Sequence, residues 1–498
     1  MHALKWTIFT GFVKNGLRGF ATRIIYQYQI NRILRNTQMK SKLLLSASLI
    51  IAGQLHASPL SLKLKTKSPL QLTDSPIVFA LNKDTKQLER IDLSNGQSTV
   101  IQATEHSRGF HFGQVASHRD VQAFIIDEKG VYLATEKSTT RIVESDSLLT
   151  RLQVDDFKKI DFVLDVNDDG LSDIYLPGFT HSELYVQQKD GQFNKYRFKY
   201  SLPLRAHSYQ DGMEVSTNFK SLPTVHDFDK DGNLDLVFRT RENVSVLYAN
   251  KTGFNKKVEH VYLPTSFGKT PDNAIRTTHE LLDINKDGHL DLITRTRPIT
   301  EGISGLEAKI NYDLYLGQPK GFNSGAIKLP HTIGAGGMRI EHDFDGDGLL
   351  DLQTLSVDIG LTTIAAMALG GGKTDVDVEM HFFKQHPHTL FAKQPSTEKE
   401  VELEIDMKRS MRGIPFYTGD LNGDKKQDIV FKSGDKTLNI YYGASSNLLN
   451  KERKKISRKL PENANDIVLV DIDGNGKEDF IFKYADENGQ ARLETLLN

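Results

Sequence analysis

The chain has no cysteine among its 498 residues. Disulfides, thiolate zinc sites and a cysteine nucleophile are therefore excluded. Tryptophan occurs once, as Trp6. Long apolar runs are also scarce: the best candidate extends from Leu43 to Gly53, short of the ~20 residues that a membrane-spanning helix needs. No transmembrane segment is expected in the mature chain. A strong net charge is missing too, the formal total being −1. That balance is uneven, because residues 1–57 hold eight Lys or Arg and no acid. The remainder has 55 basic against 64 acidic residues, a net of about −9. An acidic body of this kind does not track nucleic-acid phosphates, so no nucleic-acid partner is expected.

Residues 39–57 read MKSKLLLSASLIIAGQLHA. Lys40 and Lys42 precede the apolar run, and small residues lead to a cleavage point at Ala57, which together describe a secretory signal peptide. Such signals begin close to a start methionine, and this one begins at Met39. Residues 1–38 therefore read as an upstream over-extension of the reading frame; a mitochondrial-type presequence, Arg-bearing and acid-free, is the alternative. On this reading residues 58–498 are a single secreted domain, periplasmic or extracellular, expected to be a monomer.

Internal repetition dominates what remains. Six segments of the form D-x-[DN]-x-[DN]-x-x-x-D start at Asp165, Asp227, Asp283, Asp343, Asp420 and Asp471. Their spacings are 62, 56, 60, 77 and 51 residues. Each is followed by a short strand-like run: DIYL, DLVF, DLIT, DLQT, DIVF and DFIF. A second run such as LYVQQ, SVLYAN, YDLYLG or LNIYYG often follows, then a Gly-containing turn. Several short strands per unit at near-constant spacing predict an all-β fold, a β-propeller. Residues 107–150 supply strands without a loop, His118, Arg119 and Asp120 standing where one would fall, and read as a degenerate, metal-free blade. The last unit is one strand short, so N-terminal strands around PIVFALNKDTKQLERIDL are expected to close the ring. Seven blades result, or eight if those strands form a blade of their own. The 77-residue spacing leaves room for a short apolar helix at 359–369 and a solvated stretch at 394–412.

The loops carry the chemistry. Calcium takes six to eight oxygen ligands, and carboxylates or amides at positions 1, 3 and 5 wrap inward around one point. Position 7 can add a backbone carbonyl, Asp at 9 closes the shell, and glycine at 6 permits the sharp turn. The expected ligands are Asp165, Asn167, Asp169 and Asp173; Asp227, Asp229, Asp231 and Asp235; Asp283, Asn285, Asp287 and Asp291; Asp343, Asp345, Asp347 and Asp351; Asp420, Asn422, Asp424 and Asp428; and Asp471, Asp473, Asn475 and Asp479. The second and fourth sets offer four carboxylates each. In the fifth, Lys425 replaces the glycine, and that site is expected to be the weakest. Up to six Ca²⁺ would move the mature charge from about −9 to about +3. An EF-hand would need Glu at position 12. Leu176, Phe238, Thr294, Thr354, Phe431 and Phe482 stand there instead. Plain Asp/Gly hairpin turns are the other alternative, but six loops constrained at the same five positions argue against it.

Segments such as DFDKDGNLDL, DINKDGHLDL, DFDGDGLLDL and DIDGNGKEDF, each leading into a strand, resemble the FG-GAP and VCBS-type repeats of integrin-α-like β-propellers. The resemblance spans about residues 107–498. FG and GAP tripeptides are absent from most units, which makes the VCBS type the nearer one. It implies that each loop joins the first two strands of a blade and holds Ca²⁺, while ligands bind elsewhere on the propeller.

No catalytic residue can be assigned. His381, His386 and His388 cluster in sequence but read as surface polar residues beside Pro387. GGGKT at 370–374 lacks the first glycine of a phosphate loop, Met367 falling in its place. GASSN at 443 ends in Asn where a nucleophile elbow needs Gly. The expected function is a calcium-stabilised module that binds a protein or glycan; an enzyme acting on polysaccharides, a lyase or hydrolase, is the alternative.

Overall fold

The computed structural model describes residues 60–498, apart from residues 65–69, 74–75, 83–84, 119, 152–156, 201–203, 210–211, 218–221, 335, 359–372, 388, 407–415 and 486–490. The leader and over-extension assigned to residues 1–57, the helix expected at 359–369, the glycines of GGGKT and His388 lie outside the described residues. Among the described residues no helix is long and apolar enough to cross a membrane.

The repeats fold as blades, each an antiparallel meander of four main strands. Blade 1 is built from Leu70–Leu72, Ile77–Asn82, Gln87–Asp92 and Ser98–Gln102. Blade 2 starts at Gly109–Gly113, blade 3 at Val163–Leu164 and blade 4 at Thr224–His226. Blade 5 has Ala274–Leu282 in this place, blade 6 Gly337–His342, blade 7 Phe416–Gly419 and blade 8 Ile467–Val470. The eight-bladed alternative is therefore the one observed. Residues 76–93 do not close the ring, because their strands pair with each other as the centre of blade 1. The closing strand is Ser61–Leu64, which pairs antiparallel with Ala491–Leu496, Ser61 opposite Glu494 and Leu64 opposite Ala491. Blade 8 thus receives its fourth strand from the N-terminal side, and the exposed edge that would invite aggregation is covered. Residues 109–144 form blade 2 without an Asp loop, as expected.

Eight apolar clusters lie in the eight interfaces between consecutive blades. Phe79, Phe110 and Ile125 join blades 1 and 2; Phe124, Ile126, Ile174 and Leu176 join 2 and 3; Tyr175, Leu236 and Phe238 join 3 and 4. Val237 and Leu292 join 4 and 5, Ile293, Tyr312 and Leu352 join 5 and 6, and Met380, Phe382, Ile429 and Phe431 join 6 and 7. Val430, Phe480 and Phe482 join 7 and 8, and Ile481, Leu493, Leu64 and Val78 close 8 onto 1. Successive side chains on a strand point to opposite faces, and here both faces are covered. That is why the run after the loop is continuously apolar in blades 3, 4, 7 and 8: in IVF, Ile429 and Phe431 serve one interface and Val430 the next, whereas blades 5 and 6 bury Thr294, Gln353 and Thr354 at these places. The same geometry fixes one end of the second strand of blades 3 to 8, and there the Asp loops sit.

Candidate metal centre

Each Asp loop connects the first and second strands of its blade. Two turns of backbone in the left-handed region shape it, one at position 4 and one at position 6. At position 4, φ runs from 59° to 80° over Asp168, Lys230, Lys286, Gly346, Gly423 and Gly474. Glycine occupies position 6 in five loops, with φ from 81° to 90°, and Lys425 takes the same turn at φ 68°. Position 2 points inward: Val166, Phe228, Ile284, Phe344, Leu421 and Ile472 are buried plugs. The Asp at position 1 holds the turn, its Oδ2 accepting the backbone N–H of position 6 at 2.8–3.0 Å in all six loops.

Position 9 has a role that spacing alone does not reveal. Asp173, Asp235, Asp291, Asp351, Asp428 and Asp479 are buried. One oxygen of each accepts the N–H of position 2, at 2.8–3.0 Å. The other accepts an N–H at the far end of the third strand, from Gln187, Ala249, Gly317, Gln385, Gly443 or Asn498, at 2.7–3.0 Å. These aspartates tie the loop to the blade as well as bordering its carboxylate cluster. Burial pushes Asp173, Asp351 and Asp428 up to about 7, and Asp235 and Asp291 up to about 6, against the pull of the two N–H donors and helped by neighbouring aspartates. Asp479 is raised for the same reasons.

Three loops bring three carboxylates within 4.8 Å of one another: Asp227, Asp229 and Asp235; Asp343, Asp345 and Asp347; Asp471, Asp473 and Asp479. Asp231 stays exposed, its Oδ1 accepting the N–H of Asn233 at 2.8 Å. In blades 3 and 5 the position-3 amide reaches position 5, Asn167 Nδ2 donating to Asp169 Oδ2 at 3.1 Å and Asn285 Nδ2 to Asp287 Oδ2 at 2.9 Å. In blade 7, Lys426 Nζ donates to Asp424 Oδ2 at 3.0 Å. In blade 6, Lys384 Nζ donates to both Asp345 Oδ2 and Asp347 Oδ2. The test of fit to a hard cation lies in the oxygens left over. Asp229 Oδ1 in blade 4 and Asp283 Oδ1 in blade 5 are buried and accept no hydrogen bond. An uncompensated buried carboxylate oxygen is costly, and a cation would satisfy it. Blades 4 and 5 fit the metal; blade 6 has Lys384 against its carboxylates.

Neighbouring loops touch. Gln427 N–H donates to Asp343 O at 3.0 Å and Glu478 N–H to Asp420 O at 2.6 Å. Lysines fill the clefts between four successive pairs. Lys230 lies beside Gly288, and Lys286 Nζ donates to Gly348 O. Further round, Lys426 passes over Gly346 and Lys477 over Gly423. The lysine comes from position 4 of one loop where that residue is not glycine, and from position 7 of the next where it is.

The histidines do not converge on a site among the described residues. His381 Nε2 pairs with Glu379 Oε1 at 3.0 Å, and His386 lies in the short strand Gln385–His386. Sequence reasoning missed Lys384 and the strand-end N–H donors, because each lies far along the chain from the loop it serves. The left-handed turn at position 4 did leave a trace, three glycines and one Asp in six loops.

Loop, plug and strand-end tie recur on six of eight blades, and this defines a β-propeller built from Asp-loop repeats. The FG-GAP-like repeat family matches residues 227–294 and 420–482. The chain is an eight-bladed β-propeller that carries FG-GAP-like repeats in these two segments. Among solved structures it is similar to an Agrocybe aegerita lectin described in specific recognition of non-reducing terminal N-acetylglucosamine. Identity there is 14%, with 78% of this chain and 94% of that one covered and a TM-score of 0.41. It is also similar to the WD40 domain of SCAP from fission yeast, at 6% identity, with 91% and 97% covered and a TM-score of 0.37. No curated protein gives a significant match.

Proposed function

We propose that the protein is a secreted calcium-binding propeller in which the metal is structural and the surface binds a protein or glycan. The observation that carries the metal reading is the pair of buried, partnerless oxygens, Asp229 Oδ1 and Asp283 Oδ1, the first in a loop that also gathers Asp227 and Asp235. Oxygen donors of this kind suit Ca²⁺ better than softer metals. In blade 4, Asp227, Asp229, Asp231 and Asp235 would hold it; in blade 5, Asp283, Asn285, Asp287 and Asp291. When bound, the ion supplies positive charge that keeps the carboxylates ionised and fixes the turn between two strands. The residues themselves do the rest, since position 9 already anchors each loop to its blade.

Binding through the surface rests on the rigid scaffold: loops held by a closed ring present fixed positions to a partner. Thermal melting of the purified protein with Ca²⁺ and with a chelator tests the metal reading. The midpoint is expected to rise with Ca²⁺ by several degrees, and an unchanged midpoint overturns it. A glycan array and a pull-down from extracellular fluid, both run with Ca²⁺, test the binding reading.

A further inference from the structure

The loop of blade 6 differs from the other five in one residue that is far away in sequence. In blade 3 the position-9 aspartate holds the N–H of the last residue of the third strand, and in blades 4 to 8 that of the residue two beyond its end. The residue just before that tie is Val186, Tyr248, Leu316, Tyr442 or Leu497 in five blades, and Lys384 in blade 6. The hydrogen bond from Gln385 N–H to Asp351 Oδ1, 3.0 Å, fixes where residue 384 sits. From there the ammonium reaches Asp345 Oδ2, and Asp347 Oδ2 at 2.9 Å. Those are two of the three carboxylates that this loop brings within 4.8 Å. The Asp345 side chain is 1% exposed and that of Lys384 26%. By contrast, Lys320 near the blade 4 loop is 64% exposed, lies over the Tyr248 ring, reaches a single carboxylate oxygen, Asp229 Oδ2 at 3.3 Å, and leaves Asp229 Oδ1 without a partner.

We infer that Lys384 supplies the resident cation of the blade 6 loop and that this loop does not take Ca²⁺. This rests on the calcium reading of the other loops. The amine is tethered, so its local concentration at the site does not depend on the solution. A divalent ion would have to displace it and leave two cations close together inside a partly buried cluster. Blade 6 therefore keeps its loop in order when calcium is removed, whereas the loops of blades 4 and 5, with Tyr248 and Leu316 at this place and a partnerless carboxylate oxygen each, depend on an external ion.

The test is the calcium content of the full protein by equilibrium dialysis and elemental analysis, together with melting in chelator. Lys384→Met is expected to bind one more Ca²⁺ per chain than the wild type and to melt lower in chelator, with Ca²⁺ restoring the midpoint. An unchanged calcium count, or a midpoint in chelator equal to that of the wild type, overturns the inference. If neither protein binds calcium, the calcium reading of the other loops is what fails, and the melt in chelator still decides the role of Lys384. Asp345→Asn in the wild-type background gives a second line should Lys384→Met not fold. It is expected to lower the midpoint in chelator without changing the calcium count, and loss of one ion overturns the inference.

Discussion

Asp428 accepts the backbone N–H of Gly443 at 2.8 Å on one carboxylate oxygen and that of Leu421 at 2.8 Å on the other. The carboxylate is buried, so both donors lose their only acceptor if it is removed. Asp428→Ala is expected to cost about 2 to 4 kcal/mol in urea unfolding, since each buried orphaned donor costs ~1–3 kcal/mol. Asp231→Ala, at an exposed position, should cost well under half as much in chelator. Equal losses would show that position 9 does not tie the blade.

The position-9 aspartates also set a pH dependence. Their folded-state values are raised above the ordinary carboxylate value, to about 6 or 7. Between about pH 4 and 7 the folded, metal-free protein thus holds protons that the unfolded chain has released. Its stability should fall as pH rises through that window. Calcium should abolish this fall by keeping the carboxylates ionised. Burial holds His279 at about 4, which works in the opposite direction: its stabilisation is present above pH 6.5 and lost as pH falls. His279 contributes with and without metal, so the difference between the two urea-midpoint profiles isolates the aspartates. A difference that does not grow with pH would contradict this assignment.

Lys425 adopts φ 68° where the other five loops have glycine. A left-handed lysine costs ~1–2 kcal/mol, and glycine gives back part of that through its freer unfolded state. Lys425→Gly should therefore stabilise the protein by up to about 1 kcal/mol and tighten calcium binding at blade 7. Its backbone N–H still donates to Asp420 Oδ2 at 2.8 Å, so the loop keeps its form in the wild type. A lower urea midpoint in the variant would rule the strain out.

The ring depends on Ser61–Leu64. Deleting residues through Leu64 should expose the edge of Ala491–Leu496, lower the melting midpoint by several degrees and produce oligomers in size-exclusion chromatography. A monomer with an unchanged midpoint would show that closure adds nothing.

The loops and the strands after them were legible in the sequence because both obey short-range rules. Asp and Gly at fixed offsets define the turn, and a strand covered on both faces is mostly apolar, as IVF and FIF are, although blade 6 buries Gln353 and Thr354 there. Blade number was harder. Leu70–Leu72 and Ser61–Leu64 are too short to show a period, and only pairing distinguishes a strand that opens blade 1 from one that closes blade 8. Position 9 was read as a ligand, and its hydrogen bonds to Gly443 or Asn498 depend on where the third strand ends. Lys384 was invisible for the same reason: it lies 39 residues beyond Asp345, past the strands Asp351–Asp358 and Lys373–Phe383.

The register of the closing strand has a mechanical consequence. Ser61 faces Glu494, so the chain enters and leaves blade 8 at the same end of one antiparallel pair. Leu60 and Thr495 are joined there by two hydrogen bonds, Thr495 N–H to Leu60 O at 3.0 Å and Leu60 N–H to Thr495 Oγ1 at 2.8 Å. Tension applied between anything attached ahead of Leu60 and anything attached beyond Leu496 would load these bonds one after another and peel the strand away. A pull on two interior blades would instead load whole apolar interfaces at once. The propeller is therefore weak when stretched by its ends and strong when gripped by its rim.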